Sequence, residues 1–278
     1  MKFFTAAAIA AILGAEAVLA NPITLVPRTP RVSRRGATRQ SSPKIAVEAS
    51  EGHQVAAVAD AKNANSTSNV SYSSNWAGAV LVGSGYETVV GTFTVPTPSV
   101  PSGGSSSTAY SASAWVGIDG DTCGTAILQT GIDFNVQGST VSFDAWYEWY
   151  PDYAYTFSGF KVSAGDVIKL TAAAKSTSAG SVTIENQTTG KSVTHSFSGE
   201  SKKLCETNAE WIVEDYNEGD SQVPFANFGT VTFTGASVTK TDGTTIGVTG
   251  AEILDIKQDS VLTSCSTSGS STVICKYV

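Results

Sequence analysis

Three segments of this 278-residue chain carry unusual residues, and on two of them carboxylates share a face with large aromatic rings. If residues 141–150 form a strand, the period of two places Ser142, Asp144, Trp146, Glu148 and Tyr150 on one face. Val141, Phe143, Ala145, Tyr147 and Trp149 fall on the other, which suits a core. The first face suggests a concave binding surface; on periodicity alone it fits an ordinary exposed face with some packed rings equally well. In residues 208–216 the same period groups Glu210, Ile212, Glu214 and Tyr216 against Ala209, Trp211, Val213 and Asp215. Two glutamates four residues apart on a strand lie about 13 Å from each other. They are too distant to share a proton, so any partner of Glu214 must come from another strand. In residues 125–134, Gln129 sits on the side of Thr125, Ile127, Gly131 and Asp133. An amide in such an apolar run must be satisfied, and bonding to neighbouring backbone is the simpler reading of the spacing.

The residue inventory removes several chemistries. The chain has two histidines, and beyond residue 66 only His195 remains, on the strand face of Val193 and Phe197, where packing is its expected role. A Ser-His-Asp triad, a Cys-His pair and a typical zinc site all lack their usual parts, so neither metal nor cofactor is expected. The Asp-Thr-Gly pairs of pepsin-like peptidases are missing too; the nearest string is Asp121-Thr122-Cys123. A hydrolase built from this inventory must use carboxylates as acid and base, helped by amides or backbone.

Charge divides the chain. Residues 1–70 carry eight Lys/Arg and four acids, net +4, whereas residues 71–278 carry nine lysines and twenty acids, net −11, with no arginine after Arg39. So acidic a domain is a poor nucleic-acid binder. Its mutual repulsion is relieved as carboxylates protonate near pH 4, so an acidic medium suits it.

Lys2 precedes an apolar run over residues 3–19 that ends Ala17-Val18-Leu19-Ala20, the pattern of a secretory signal peptide cleaved after Ala20 and not of a membrane anchor. Residues 21–66, basic and rich in Pro and small polar residues, read as a propeptide ahead of a domain spanning 67–278. Four cysteines in the acidic part fit an oxidising, extracellular compartment. Cys265 and Cys275 flank a hairpin-like Ser/Thr/Gly run, which favours pairing them with each other and Cys123 with Cys205 among the three connectivities available. Sequons stand at Asn65, Asn69 and Asn186.

The elements that must position these residues are strands. From Tyr72 onward the pattern alternates, interrupted by Gly, Ser, Asn and Pro, and no segment sustains a helical apolar period. The expected fold class is all-β, a β-sandwich of two antiparallel sheets.

Five strings then become specific: Ser74-Asn75-Trp76-Ala77-Gly78-Ala79, Ala114-Trp115-Val116-Gly117-Ile118-Asp119-Gly120-Asp121-Thr122-Cys123, Ala126-Ile127-Leu128-Gln129-Thr130-Gly131, Tyr147-Glu148-Trp149-Tyr150-Pro151 and Asn208-Ala209-Glu210-Trp211-Ile212-Val213-Glu214-Asp215. In order and spacing they resemble the fungal glutamic peptidases, or eqolisins. The resemblance implies a secreted proenzyme with a concanavalin- or jelly-roll-like sandwich, acting as a pepstatin-insensitive acid endopeptidase. It implies a catalytic Gln129/Glu214 dyad, with Trp76, Trp115, Asp119, Asp133 and Glu148 lining or supporting the cleft. Implied partners are protein or peptide substrates and the chain's own propeptide; a monomer is expected, with no nucleic acid and no membrane. Some members carry an extra cysteine pair soon after the dyad glutamate, where residues 216–224 here have none. Rival readings are a secreted sandwich glycoside hydrolase, with Glu148 and Glu214 dividing acid and base roles, and a carbohydrate-binding module.

Overall fold

The computed structural model describes residues 38–47 and 70–278. The expected signal peptide, most of the expected propeptide and the sequons at Asn65 and Asn69 lie outside the described residues. The chain runs through β1 (Arg39–Gln40), β2 (Val70–Ser73), β3 (Trp76–Val82), β4 (Tyr86–Thr94), β5 (Ala109–Ile118), β6 (Ile127–Gln137) and β7 (Thr140–Tyr150). It continues through β8 (Tyr155–Thr156), β9 (Val167–Ser176), β10 (Ala179–Asn186), β11 (Lys191–Ser198), β12 (Asn208–Glu214), β13 (Asn217–Glu218) and β14 (Ser221–Gln222). The last elements are β15 (Thr230–Lys240), β16 (Thr245–Ile246), β17 (Glu252–Ile256), β18 (Thr263–Ser268) and β19 (Thr272–Tyr277), with no helix among the described residues.

Two large sheets pack face to face, which makes the fold a β-sandwich. The first has the order β2-β17-β3-β12-β5-β6-β7-β8, and the second β11-β10-β9-β4-β15-β19-β18, with β16 on β15. Pairing is antiparallel except at one edge, where β2 and β17 run parallel. A small ribbon, β1-β13-β14, forms a third sheet.

The alternation along β12 fixes which side chains meet between the sheets. Ala209, Trp211 and Val213 enter the main core with Phe93, Phe134, Tyr147 and Phe233. Trp211 crosses the interface and donates from Nε1 to the Val90 carbonyl of β4 at 2.8 Å, so its polar end is satisfied where its ring is buried. Removing such an indole costs about 3–5 kcal/mol in a packed core. Core-facing residues of β7 behave as their spacing requires: Ala145, Tyr147 and Trp149 are buried in the same cluster, with Phe143 packed against it. His195 packs as expected, stacked 4.0 Å from the Tyr147 ring, and burial pushes its pKa down.

Both cysteine pairs form as the hairpin reading favoured. Cys265 and Cys275 are register partners on β18 and β19. Cys123–Cys205 ties the loop after β5 to the approach to β12. The Asn186 sequon is closed: its side chain is buried, Nδ2 donates to Asp166 and Oδ1 accepts from Thr189 N–H.

Candidate active site

The outer face of the first sheet carries a second, smaller apolar cluster of Trp76, Val80, Trp115, Ile127, Trp146, Ala154, Ile212 and Leu254. Indoles lie on this face because two glycines leave room for them. A Cβ on Gly117 would sit 2.8 Å from Trp115 Cζ3 and 3.2 Å from Gln129 Cβ. One on Gly131 would meet Trp115 Cβ at 2.6 Å and Trp146 Cζ2 at 2.9 Å. The Trp115 ring therefore reaches from the Gln129 side of the floor to Glu214, whose Oε2 accepts its Nε1–H at 3.0 Å. Trp76 meets Trp115 edge-on at 5.0 Å.

Sheet register sorts the polar residues into two rows. One row crosses Trp76, Glu214, Ser113, Asp133 and Asp144; the other crosses Val80, Glu210, Gly117, Gln129 and Glu148. Gln129 and Glu214 are thus two strands and four residues apart on one face of the sheet, about 16 Å between Cα atoms along a diagonal.

Gln129 is wholly buried, and neither Oε1 nor Nε2 finds a hydrogen-bond partner among the described residues. The simpler reading of its spacing, an amide satisfied by neighbouring backbone, is therefore corrected. Such a group costs about 1–3 kcal/mol. An orphaned donor and acceptor facing a cleft is a place for a ligand or a water.

The cleft holds a piece of the same chain. Residues 38–47 cross it in extended form, with β1 paired antiparallel to β13. Arg39 is fully buried: its guanidinium lies 3.8 Å from the Trp146 ring and 4.5 Å from that of Tyr216. It donates from Nη1 to Glu148 Oε2 at 3.0 Å, from Nη2 to Ser113 Oγ at 3.2 Å, and places Nε 3.4 Å from Asp133 Oδ2. Ser41 N–H donates to both Glu148 oxygens at 3.2 Å, and Ser42 N–H donates to Glu214 Oε1 at 3.1 Å. Asn75 holds the next residues by their backbone, accepting Ile45 N–H at 2.9 Å and donating from Nδ2 to the Ser42 and Pro43 carbonyls. Lys44 pairs with Asp121 and lies 3.7 Å from Glu252.

The expected site residues thus divide by what they touch. Trp76 and Trp115 are floor, and Asp133 and Glu148 receive a cation. Asp119 instead accepts the backbone N–H groups of Cys205, Glu206, Thr207 and Asn208, so it organises the turn leading into β12 and supports the cleft from behind. That turn also contains the one grouping of metal-ligand types among the described residues, Asp119, Cys123 and Cys205, whose sulfurs are already joined to each other.

Asn75, Ser113, Tyr216 and Arg39 were not singled out from the sequence as parts of the site. Asn75 had a signal, being a polar residue next to Trp76 inside a recognisable string. Arg39 had another, as the final arginine before a domain with none.

Burial governs the carboxyl pKa values. It pushes Glu214 up, opposed first by the Arg39 charge and then by hydrogen bonds from Ser42, Ser41 and Trp115. Glu210, wholly buried with no partner for either oxygen among the described residues, is pushed well up by burial and by the charges of Asp119 and Asp121. Asp215 is pushed up to about 8 by burial, against a hydrogen bond from Gln258. At one end of the floor donors oppose the upward push on a carboxyl, while at the other no donor among the described residues does.

The Peptidase A4 family model matches residues 74–277. The chain is similar to Aspergillopepsin-2 of Aspergillus niger, 51% identical over 99% of both chains, and to Scytalidopepsin B of Scytalidium lignicola, 45% identical over the full length of both. A solved structure of scytalido-glutamic peptidase with a transition state analog inhibitor superposes with a TM-score of 0.67 at 48% identity, covering 74% of this chain and 98% of the other. The chain therefore belongs to the peptidase A4 family, glutamic peptidases that hydrolyse peptide bonds.

Proposed function

We propose that the chain is a secreted, pepstatin-insensitive acid endopeptidase, made as a proenzyme, in which Glu214 and Gln129 form the catalytic dyad. One observation carries this reading: the orphaned amide of Gln129 and the carboxyl of Glu214 lie on one sheet face, diagonally across Trp115, and Glu214 already accepts a peptide N–H. A water between them gives up a proton to Glu214 and attacks the scissile carbonyl. The Gln129 amide donates to the oxygen as it becomes negative, and Glu214 then passes its proton to the leaving nitrogen. Glutamine suits this role because it offers a donor and an acceptor and carries no charge at acid pH. Trp115 Nε1–H keeps the base oriented and favours its ionised form. The two disulfides fit the extracellular location.

In this reading residues 38–47 belong to the propeptide and block the cleft near neutral pH. Arg39 faces Asp133, Glu148 and Glu214, and Lys44 faces Asp121 and Glu252. Protonating these acids removes the charge that seats the segment, so acid releases it. The polysaccharide readings have nothing comparable, because the occupant of the cleft is peptide.

The test is hydrolysis of denatured casein at pH 3 in the presence of pepstatin, with a polysaccharide as the parallel substrate. Casein digestion that is lost in both Glu214→Gln and Gln129→Ala supports the dyad. Near wild-type digestion by either folded variant refutes it.

A further inference from the structure

We propose that Asp121 and Glu252 form a cation subsite of the cleft, one that selects peptide substrates carrying lysine or arginine at a single fixed position. The inference rests on the peptidase reading above and adds a substrate class to it. Lys44 marks the place: its Nζ pairs with Asp121 and lies 3.7 Å from Glu252. Asp121 comes from the loop after β5, with 3% of its side chain exposed. Glu252 starts β17 as the register partner of Val80, so it ends the row that has Glu148 at its other end.

The main chain around Lys44 is held by groups that ignore side-chain identity. Lys44 N–H donates to the Gly120 carbonyl at 2.9 Å. Asn75 takes the neighbouring peptide units, donating from Nδ2 to the Pro43 carbonyl at 3.1 Å and accepting Ile45 N–H at 2.9 Å, and is itself fixed by Ser73 Oγ, which donates to Asn75 Oδ1 at 2.8 Å. Ser74 N–H donates to the Ile45 carbonyl and Val47 N–H to the Tyr72 carbonyl, both at 2.9 Å, so the segment runs antiparallel beside the end of β2. Any extended peptide laid on these groups sends one side chain toward Asp121 and Glu252. Backbone bonds of this kind supply affinity for extended peptides in general, and the pocket supplies the choice among them.

Charge decides that choice. Lys44 meets Asp121 Oδ1, while Oδ2 has no hydrogen-bond partner among the described residues. A neutral side chain here would leave Asp121 without the cation that Lys44 supplies, and an acidic one would add like-charge repulsion. Arginine suits the pocket as well, because its forked guanidinium can serve both oxygens of a carboxylate where an ammonium meets one. Blocking the cleft draws on several ion pairs at once, whereas a tenfold preference among substrates needs about 1.4 kcal/mol from one pocket. The pocket can therefore select at a pH that releases residues 38–47.

The experiment uses the full chain brought to pH 4 and held until its casein hydrolysis is steady, then given a mixed peptide library whose products are sequenced by mass spectrometry. Wild type should enrich Lys and Arg over Gln at least about fivefold at a position fixed relative to the bond cut. In matched peptides, replacing that lysine by acetyllysine, which keeps the stem and removes the charge, should lower kcat/KM about tenfold. Asp121→Asn/Glu252→Gln should erase the enrichment at this position and leave preferences at other positions unchanged. Glu252→Lys, made at a partly exposed side chain, should erase it too, by pairing with Asp121 from within the chain. Equal rates for the lysine and acetyllysine peptides, or an enrichment that survives in either folded variant, overturns the inference and leaves the peptidase reading standing. Failure of the folded wild-type chain to cut casein or any library peptide overturns the peptidase reading, and this inference with it.

Discussion

Glu210 and Glu214 lie on the same face of β12, one helping to form each of the two polar rows, and both are fully buried. Around Glu214 the sheet supplies the Trp115 indole N–H, and the cleft supplies a peptide N–H and a nearby guanidinium. Glu210 has Asp119 and Asp121 as its electrostatic neighbours and no donor for either oxygen among the described residues. The same side chain on the same strand therefore has donors that oppose its raised pKa at one end and is sealed from any donor among the described residues at the other. Residue type and burial do not separate them; the donors do.

The largest effect expected from this contrast is on turnover. Glu214→Gln lowers casein kcat/KM at pH 3 by at least about a thousandfold, as removal of a proton-transfer group does, whereas Glu210→Gln stays within about threefold of wild type. Equal losses in the two variants would erase the distinction. Next, Gln129→Ala lowers kcat by about 100–1000-fold with little change in KM, the signature of a donor used in the transition state. A change confined to KM would make Gln129 a binding residue only.

A smaller effect concerns stability. Carboxyls whose pKa is raised in the folded state contribute stability that is fully present below about pH 4 and is lost as pH rises through the folded value, about 8 for Asp215. Glu210 acts in the same direction. Scanning calorimetry should show the Tm of the acidic domain falling between pH 3 and pH 7. Glu210→Gln should reduce that fall by roughly 3–8 °C, the equivalent of about 1–3 kcal/mol. Identical slopes would show that Glu210 is not the sealed acid described here. Last, His195→Asn should leave casein hydrolysis within about twofold of wild type while lowering Tm slightly, because that ring only packs against Tyr147 and Phe197.

Much of this contrast was open to inspection in the chain itself. The alternation in residues 208–216 put Trp211 and both glutamates on opposite faces without saying which was core, and that of 141–150 gave Trp149 to the core side and Glu148 to the other. The hairpin around residues 266–272 suggested the Cys265–Cys275 pair. The orphaned state of Gln129 was not legible. An isolated glutamine in an apolar run looks the same whether backbone satisfies it or a cleft leaves it bare, because the difference lies in neighbours remote in sequence. Arg39 was visible as charge, but its pocket was not, since Asp133, Trp146, Glu148 and Tyr216 come from two separate strands and the chain beyond β12.

Local chain chemistry therefore settled two things: which residues face together within each strand, because successive side chains alternate sides, and where charge concentrates. Assembly settled the rest. Strand order and register, set by burying Trp211, Phe134 and their neighbours between two sheets, placed Gln129 diagonal to Glu214 and Asp119 behind Glu210. The cause is physical: a one-residue slip in register would turn every core side chain toward the cleft, and the cost of that burial lies in contacts no single strand contains.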